Sequence, residues 1–92
     1  MRIYRNREMR KSVYSEEGRL LAESLTEARK RAGMHQADVA AKMGSDQTVI
    51  SNIERGHRRI DAIEFFEFAN AVDCDPVELY RSIVEKWRGL PR

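Results

Sequence analysis

Residues 36–56 read QADVAAKMGSDQTVISNIERG, and this segment is the most informative about the architecture of the chain. It contains two short segments with apolar residues at helical spacing, one from Gln36 to Met43 and one from Gln47 to Arg55. Gly44 lies between them. Each segment has apolar residues on one side and polar residues on the other, so we predict a short helix for each, with a turn at the glycine.

The two predicted helices can cross steeply only where small and apolar residues occupy the contact. Ala40 is small enough to let the helices approach closely, and Gly44 can take the positive φ that the turn requires. Ile50 and Ile53 anchor the second helix in the core. This combination is typical of a helix-turn-helix, in which the second helix projects from the domain and enters the major groove of DNA.

The rest of the chain also has the sequence signals of helices. Ser15, followed by two glutamates, predicts the start of a helix that ends at Gly33. Asp61 begins a capping box, and residues 75–76 place aspartate and proline where a last helix starts. We see no strand of useful length, so the prediction is an all-α fold of five helices.

Composition excludes several classes of protein. The chain has 92 residues, enough for one core, and no apolar run near the roughly 20 residues of a membrane span. Cys74 is the single cysteine, so neither an internal disulfide nor a thiolate metal site is expected. The two histidines and the cysteine form no group of nucleophile and base, so we predict neither an enzyme nor a cofactor. A reducing cytoplasm fits this composition.

Charge is distributed unevenly along the chain. Residues 2–11 contain five basic side chains and one acid, whereas residues 60–80 contain six acids and neither Lys nor Arg. Solvated helix faces would account for such runs. Segregated charge also predicts one surface that attracts a polyanion and another that faces away from it.

Residues 36–56 resemble the helix-turn-helix of the lambda-repressor and Cro-like family, also called the xenobiotic-response-element (XRE) family. The resemblance covers about residues 17–84. It rests on matches in register: the Gln-x-x-x-Ala-x-x-x-Gly run at 36–44, then QTVIS at 47–51, IERG at 53–56 and FANAV at 68–72.

The resemblance implies a five-helix, lambda-repressor-like DNA-binding domain. We assign residues 15–88 to this domain, with the helix-turn-helix at 36–55, a basic arm at 1–14 and a tail at 89–92. The implied function is sequence-specific regulation of transcription, expected to be repression, by a homodimer that reads a pseudo-palindromic operator. The implied partner is double-stranded DNA in the cytoplasm, at the nucleoid, with neither a membrane nor a small-molecule ligand expected.

The family pattern also assigns roles to residues. Helix 47–55 would be the recognition helix, and its uncharged, solvent-facing side chains would read base edges: Gln47, Thr48, Ser51 and Asn52. The predicted phosphate contacts lie at the start of the first helix of the motif and in the basic loop after the second: Gln36, Arg55, His57, Arg58 and Arg59. Arg29 and Glu54 match positions that commonly form an internal ion pair.

Two departures from the family pattern and one apolar stripe carry further expectations. Asp46 replaces the usual Ser or Thr before the recognition helix and is expected to cap it well. Cys74 is expected to be a small buried residue. On the last helix, Val77 and Tyr80 are expected in the core at least as much as at an interface, whereas Trp87 is the favoured dimer contact.

Two questions stay open at the level of sequence. The basic arm could be a solvated tail, a strand that pairs with its copy in a dimer, or a DNA contact in the minor groove through Arg2, Arg5 and Arg7; we favour the last. A DNA-binding antitoxin with a protein partner is the alternative to a simple regulator.

Overall fold

The computed structural model describes residues 15–91, and within that range it contains five helices, as predicted. They are α1 (Glu16–Arg31), α2 (Gln36–Met43), α3 (Gln47–Glu54), α4 (Ala62–Ala71) and α5 (Pro76–Arg88). Helix α3 ends one residue before the end predicted for the recognition helix. None of the five has the length and apolar character needed to cross a membrane.

Local side-chain caps set where three of the helices begin. The hydroxyl of Ser15 accepts the N–H three residues on at 3.1 Å, which starts α1. Asp61 and Glu64 each accept the other's backbone N–H, at 2.7 and 3.0 Å, which starts α4. Asp75 accepts the N–H two residues on at 2.8 Å and starts α5. Such caps satisfy N–H groups that have no partner within the helix, so the sequence alone could locate them.

The core is built from all five helices. Its largest fully buried side chains come one from each helix: Leu25, Val39, Ile50, Phe68 and Ile83. Helix α1 packs against α3 and α5, α2 packs against α3 and α4, and α4 packs against α5. Each such side chain contributes about 1.5–3 kcal/mol through burial. The helix-turn-helix is therefore held from two sides, by α1 and by α4.

The face of α5 that enters the core differs from the prediction. Leu79 and Ile83 are the buried residues, whereas Val77 is 64% exposed and Tyr80 50% exposed. Trp87, the favoured interface residue, packs against the core, and its indole N–H donates to the carbonyl of Glu17 at 2.9 Å. Helix α5 carries two apolar stripes, and its contacts with α1 and α4 select the stripe of Leu79 and Ile83.

Cys74 lies just before α5 and is half-buried against the core, less buried than predicted. The basic arm, with Arg2, Arg5 and Arg7, lies outside the described residues.

Candidate nucleic-acid interface

The turn between α2 and α3 is made by a residue in the left-handed backbone conformation. Gly44 has φ 66° and ψ 35°, and the N–H of Ser45 donates to the carbonyl of Ala40 at 2.9 Å. Ala40 is 3% exposed. A Cβ built on Gly44 would meet nothing within 4 Å. The glycine is therefore required for its backbone conformation and not for space.

Helix α3 has one buried side and one polar side. Ile50 and Ile53 are fixed in the core. Four of the other positions present uncharged hydrogen-bonding groups at the surface: Gln47 and Thr48 are exposed, and Ser51 and Asn52 are half-exposed. This face can donate to and accept from the edges of bases.

Asp46 precedes α3, but its side chain makes no capping hydrogen bond. The prediction that Asp46 caps the recognition helix is therefore wrong. Its backbone carbonyl does accept the N–H of Val49 at 3.0 Å, as the first turn of a helix requires. The carboxylate is left at the surface, next to Gln47.

A buried ion pair joins α1 to the end of α3. The guanidinium of Arg29 donates to both carboxylate oxygens of Glu54, at 2.7 and 2.9 Å, and to the carbonyl of Met34 at 2.8 Å. The two side chains are 11% and 4% exposed. Burial alone would raise the pKa of Glu54, but the hydrogen bonds from Arg29 and Gln36 outweigh it and hold the pKa below its ordinary value.

The same carboxylate is linked to the start of the recognition helix. Gln36 donates its amide N–H to Glu54 Oε1 at 3.0 Å, and Gln47 donates its amide N–H to Gln36 Oε1 at 3.3 Å. Because a carboxylate only accepts, Gln36 must turn its NH₂ group towards Glu54 and its oxygen towards Gln47. Gln47 must then present its NH₂ group to Gln36. This chain of hydrogen bonds fixes the orientation of the exposed side-chain amide of Gln47.

Basic residues follow α3 in the loop to α4. Arg55, His57 and Arg59 are exposed. The loop folds back over the end of α3, where the backbone carbonyl of Asn52 accepts the N–H of His57 at 2.8 Å. The backbone of the loop therefore passes close to Asn52 at the end of α3.

Arg58 differs from its neighbours in the loop. It donates to both oxygens of Glu64, at 3.0 and 2.9 Å, and to the carbonyl of Arg59 at 2.9 Å. The bonds from Arg58 lower the pKa of Glu64. Arg58 therefore ties the loop to the first turn of α4, a role that the sequence prediction of phosphate contact did not include.

Comparison with known proteins identifies the family of the chain. Residues 25–79 match the helix-turn-helix family. An uncharacterized HTH-type transcriptional regulator of Sinorhizobium fredii is 36% identical over 61 residues, which is 66% of this chain and 79% of the relative. An XRE-family like protein from Pseudomonas syringae pv. tomato is 32% identical, with a TM-score of 0.74 over 85% of this chain and 95% of that one. The chain belongs to the XRE family of helix-turn-helix transcriptional regulators.

A third similarity concerns the fold. The restriction-modification controller protein C.Esp1396I, solved as a tetramer in complex with its natural 35-base-pair operator, is 24% identical to this chain. The two share a TM-score of 0.71 over 77% of this chain and 93% of that one.

In this XRE-family regulator the structure brings four of the sequence-predicted residues together where α1, α2 and α3 meet. Gln36 and Gln47 are in contact, and the buried pair of Arg29 and Glu54 lies beneath them. The sequence indicated the ion pair but not its link to Gln36. The sequence did contain an indication of this hydrogen bond, because Gln36 and Glu54 are both polar residues of helices whose opposite faces are buried.

Proposed function

We propose that this XRE-family regulator is a sequence-specific repressor that binds a pseudo-palindromic operator as a dimer. Helix α3 lies in the major groove, with four side chains on base edges: Gln47, Thr48, Ser51 and Asn52. The observation that carries the proposal is the fixed amide of Gln47 at the exposed start of α3.

The orientation of Gln47 favours one base. One amide hydrogen is bonded to Gln36, which leaves the second hydrogen and the oxygen of Gln47 for DNA. Adenine presents a matching acceptor at N7 and a donor at N6 in the major groove. The preset orientation avoids part of the entropy cost of fixing the side chain on binding. We therefore propose adenine as the base that Gln47 reads.

The phosphate contacts lie on either side of the reading face. Arg55, His57 and Arg59 are exposed, and on this proposal they contact the phosphate backbone next to α3. Gln36 begins α2 and takes a phosphate with its remaining N–H groups. Arg58 contributes less, because Glu64 already occupies its guanidinium.

Two copies are needed because an eight-residue helix reads only a few base pairs. A two-fold dimer would place its recognition helices in successive turns of the major groove, about 34 Å apart. The tetrameric operator complex of C.Esp1396I supports assembly on DNA for proteins of this fold. Repression follows where such a site overlaps a promoter, since the bound dimer occupies the DNA that polymerase needs.

Selection of bound sequences from a random DNA pool tests this function. We expect two inverted half-sites, each with an adenine at a fixed position. Enrichment without sequence preference would contradict base reading, and a single half-site would contradict the dimer.

Direct measurements of DNA affinity then test which side chains contact the bases. Gln47→Ala and Asn52→Ala should each weaken the selected site by about 1–3 kcal/mol and leave random DNA unaffected. Glu85→Ala is a matched control, because Glu85 is exposed on α5 and distant in sequence from the reading face. Equal loss on both DNAs would contradict the assignment.

The arm is proposed to contact DNA through Arg2, Arg5 and Arg7. Each phosphate that is neutralised adds roughly 0.9 to the slope of log affinity against log salt. Deletion of residues 1–11 should therefore flatten that slope by about two to four units. An unchanged slope would remove the arm from the interface.

A further inference from the structure

The α3–α4 loop (residues 55–61) carries the basic side chains that the proposed function places on the DNA backbone. The start of this loop is bonded to α3, because the carbonyl of Asn52 accepts the N–H of His57 at 2.8 Å and that of Arg58 at 3.2 Å. Of the basic side chains in the loop, only that of Arg58 is hydrogen-bonded within the described part of the chain. Arg58 therefore joins the loop to α3 through its backbone and to α4 through its side chain.

The guanidinium of Arg58 binds the backbone of its own loop and the side chain of a helix residue at the same time. Its Nη1 donates to the carbonyl of Arg59 at 2.9 Å and to Oε1 of Glu64 at 3.0 Å. Its Nη2 donates to Oε2 of Glu64 at 2.9 Å. Because the guanidinium is planar and its donors have fixed directions, these three bonds hold the carbonyl of Arg59 in place relative to the carboxylate. They therefore set the path of the chain at Arg59.

Glu64 is itself held in place by the start of α4. Its Oε1 also accepts the N–H of Asp61 at 3.0 Å, and the carboxylate of Asp61 accepts the N–H of Glu64 at 2.7 Å. The side chains of Arg58 and Glu64 are 40% and 25% exposed. An ion pair this close to water adds little to the free energy of unfolding, although its geometry is well defined. We therefore expect its main effect on the path of the loop.

We propose that Arg58 and Glu64 are positioning residues for DNA binding, whose pair holds the α3–α4 loop where His57 and Arg59 meet phosphates next to α3. This inference rests on the proposed function, which assigns those phosphates to the loop. Phosphate contacts fix the orientation of a protein on the duplex, so the path of the loop affects how α3 enters the groove. The opposite role is that Arg58 binds a phosphate itself and Glu64 competes with DNA for it.

Glu64→Gln separates the two roles by the direction of its effect. Gln can still accept the N–H of Asp61, so α4 keeps its start, but the charge that holds Arg58 is lost. As a positioning variant it should bind random DNA about tenfold more weakly. Its slope of log affinity against log salt should become shallower by roughly one unit. If Glu64 competes with DNA, the freed Arg58 takes a phosphate instead. Affinity and slope would then both rise, which would overturn the proposal.

Glu67→Gln is the matched control, because Glu67 is exposed on the same helix and its substitution changes the net charge equally. Comparison of Glu64→Gln with this control removes the general gain in DNA affinity that follows from the loss of a negative charge. The urea midpoints of both variants should stay close to that of the wild type. A purely structural role would lower the midpoint of Glu64→Gln and leave its salt slope unchanged. That result, or equal affinity and slope for the two variants, would overturn the proposal.

Arg58→Lys tests the same pair from its other side. Lys keeps the positive charge, but an ammonium group cannot reproduce the bidentate bond to Glu64 together with the bond to the carbonyl of Arg59. Its affinity for random DNA should fall as in Glu64→Gln. The double variant should bind no more weakly than the weaker single variant, because both substitutions remove one interaction. Wild-type affinity for Arg58→Lys, or additive losses in the double variant, would overturn the proposal.

The proposed function and the positioning role fail in different ways. If the wild type shows no sequence preference in the DNA selection, base reading by α3 is wrong, whereas the loop variants are still decided on random DNA. If the wild type selects inverted half-sites and Glu64→Gln binds random DNA as Glu67→Gln does, only the positioning role is wrong. A wild type that does not bind DNA would overturn both.

Discussion

Apolar packing holds both halves of the molecule, the α1–α3 half (residues 16–54) and the α4–α5 half (residues 62–88), but the first half also contains a buried network of polar side chains. In the first, Arg29, Glu54, Gln36 and Gln47 form a chain of hydrogen bonds that crosses three helices. In the second, helices meet through apolar side chains such as Phe68, and polar bonds serve mainly as caps. Directional bonds orient individual side chains, whereas apolar packing does not, so the half proposed to read DNA contains the bonds that reading needs.

Among the variants that test this comparison, the one that removes the buried carboxylate of Glu54 should have the largest effect on stability. Glu54→Gln leaves one acceptor oxygen for two donors, Arg29 and Gln36, and deprives a buried guanidinium of its counter-ion. We expect a loss of about 3–5 kcal/mol in the free energy of unfolding, measured in urea.

The control is Glu16→Gln, which breaks an ion pair with Arg19 whose partners are 64% and 51% exposed. Its urea midpoint should stay close to that of the wild type. Equal urea midpoints for Glu54→Gln and Glu16→Gln would show that the hydrogen-bond network adds no stability to the α1–α3 half.

The same carboxylate predicts a dependence on pH. The pKa of Glu54 is lower in the folded chain than its unfolded value of about 4.3, and that of Glu64 is lowered too. The folded state therefore binds fewer protons, and its extra stability is present above pH about 4.3 and is lost as pH falls through the folded pKa. Urea midpoints should be level from neutral pH to about 5 and fall below that. Glu54→Gln should remove part of this acid-induced loss of stability. If its urea midpoint falls below pH 5 in the same way as that of the wild type, Glu54 does not contribute to the loss.

One left-handed residue chosen from each half, Gly44 and Asp73, gives a smaller contrast. Gly44→Ala should cost about 1–2 kcal/mol, because only the backbone conformation penalises the new Cβ. Gly44→Asn should cost less, since Asn tolerates this conformation.

In the α4–α5 half the corresponding residue is Asp73, with φ 58°. Asp also tolerates the left-handed region, so Asp73→Gly should change stability by less than about 0.5 kcal/mol. Urea denaturation of the three variants measures these differences. A Gly44→Ala protein as stable as the wild type would show that the turn does not depend on glycine.

What the sequence predicts well is local. Ser15, Asp61 and Asp75 each start a helix through bonds within three residues, so the helix boundaries follow from short patterns. The face of α5 could not be predicted in the same way, because Leu79 and Val77 lie on two apolar stripes of one helix. The choice between them depends on where α1 and α4 lie.

The candidate interface also combines features that follow from local sequence with features that depend on the fold. The polar face of α3 follows from the burial of Ile50 and Ile53, which periodicity indicates. The pairing of Arg58 with Glu64 depends on the path of a loop, and a basic run alone gave no sign that one of its members is engaged.

The aspartates that precede α3 and α4 give the finest test of the contrast between the halves. Asp61 accepts the N–H of Glu64 at 2.7 Å, so Asp61→Ala should cost about 1 kcal/mol. Asp46 occupies the equivalent position before α3 and makes no side-chain cap, so Asp46→Ala should leave the urea midpoint unchanged. On DNA the order should reverse. The carboxylate of Asp46 lies at the start of the proposed recognition helix, where it repels phosphate, and its removal should strengthen binding to random DNA while Asp61→Ala has no such effect. If Asp46→Ala destabilises the fold as much as Asp61→Ala, the first turn of α3 is held by a cap after all. If it leaves DNA affinity unchanged, Asp46 does not face the backbone.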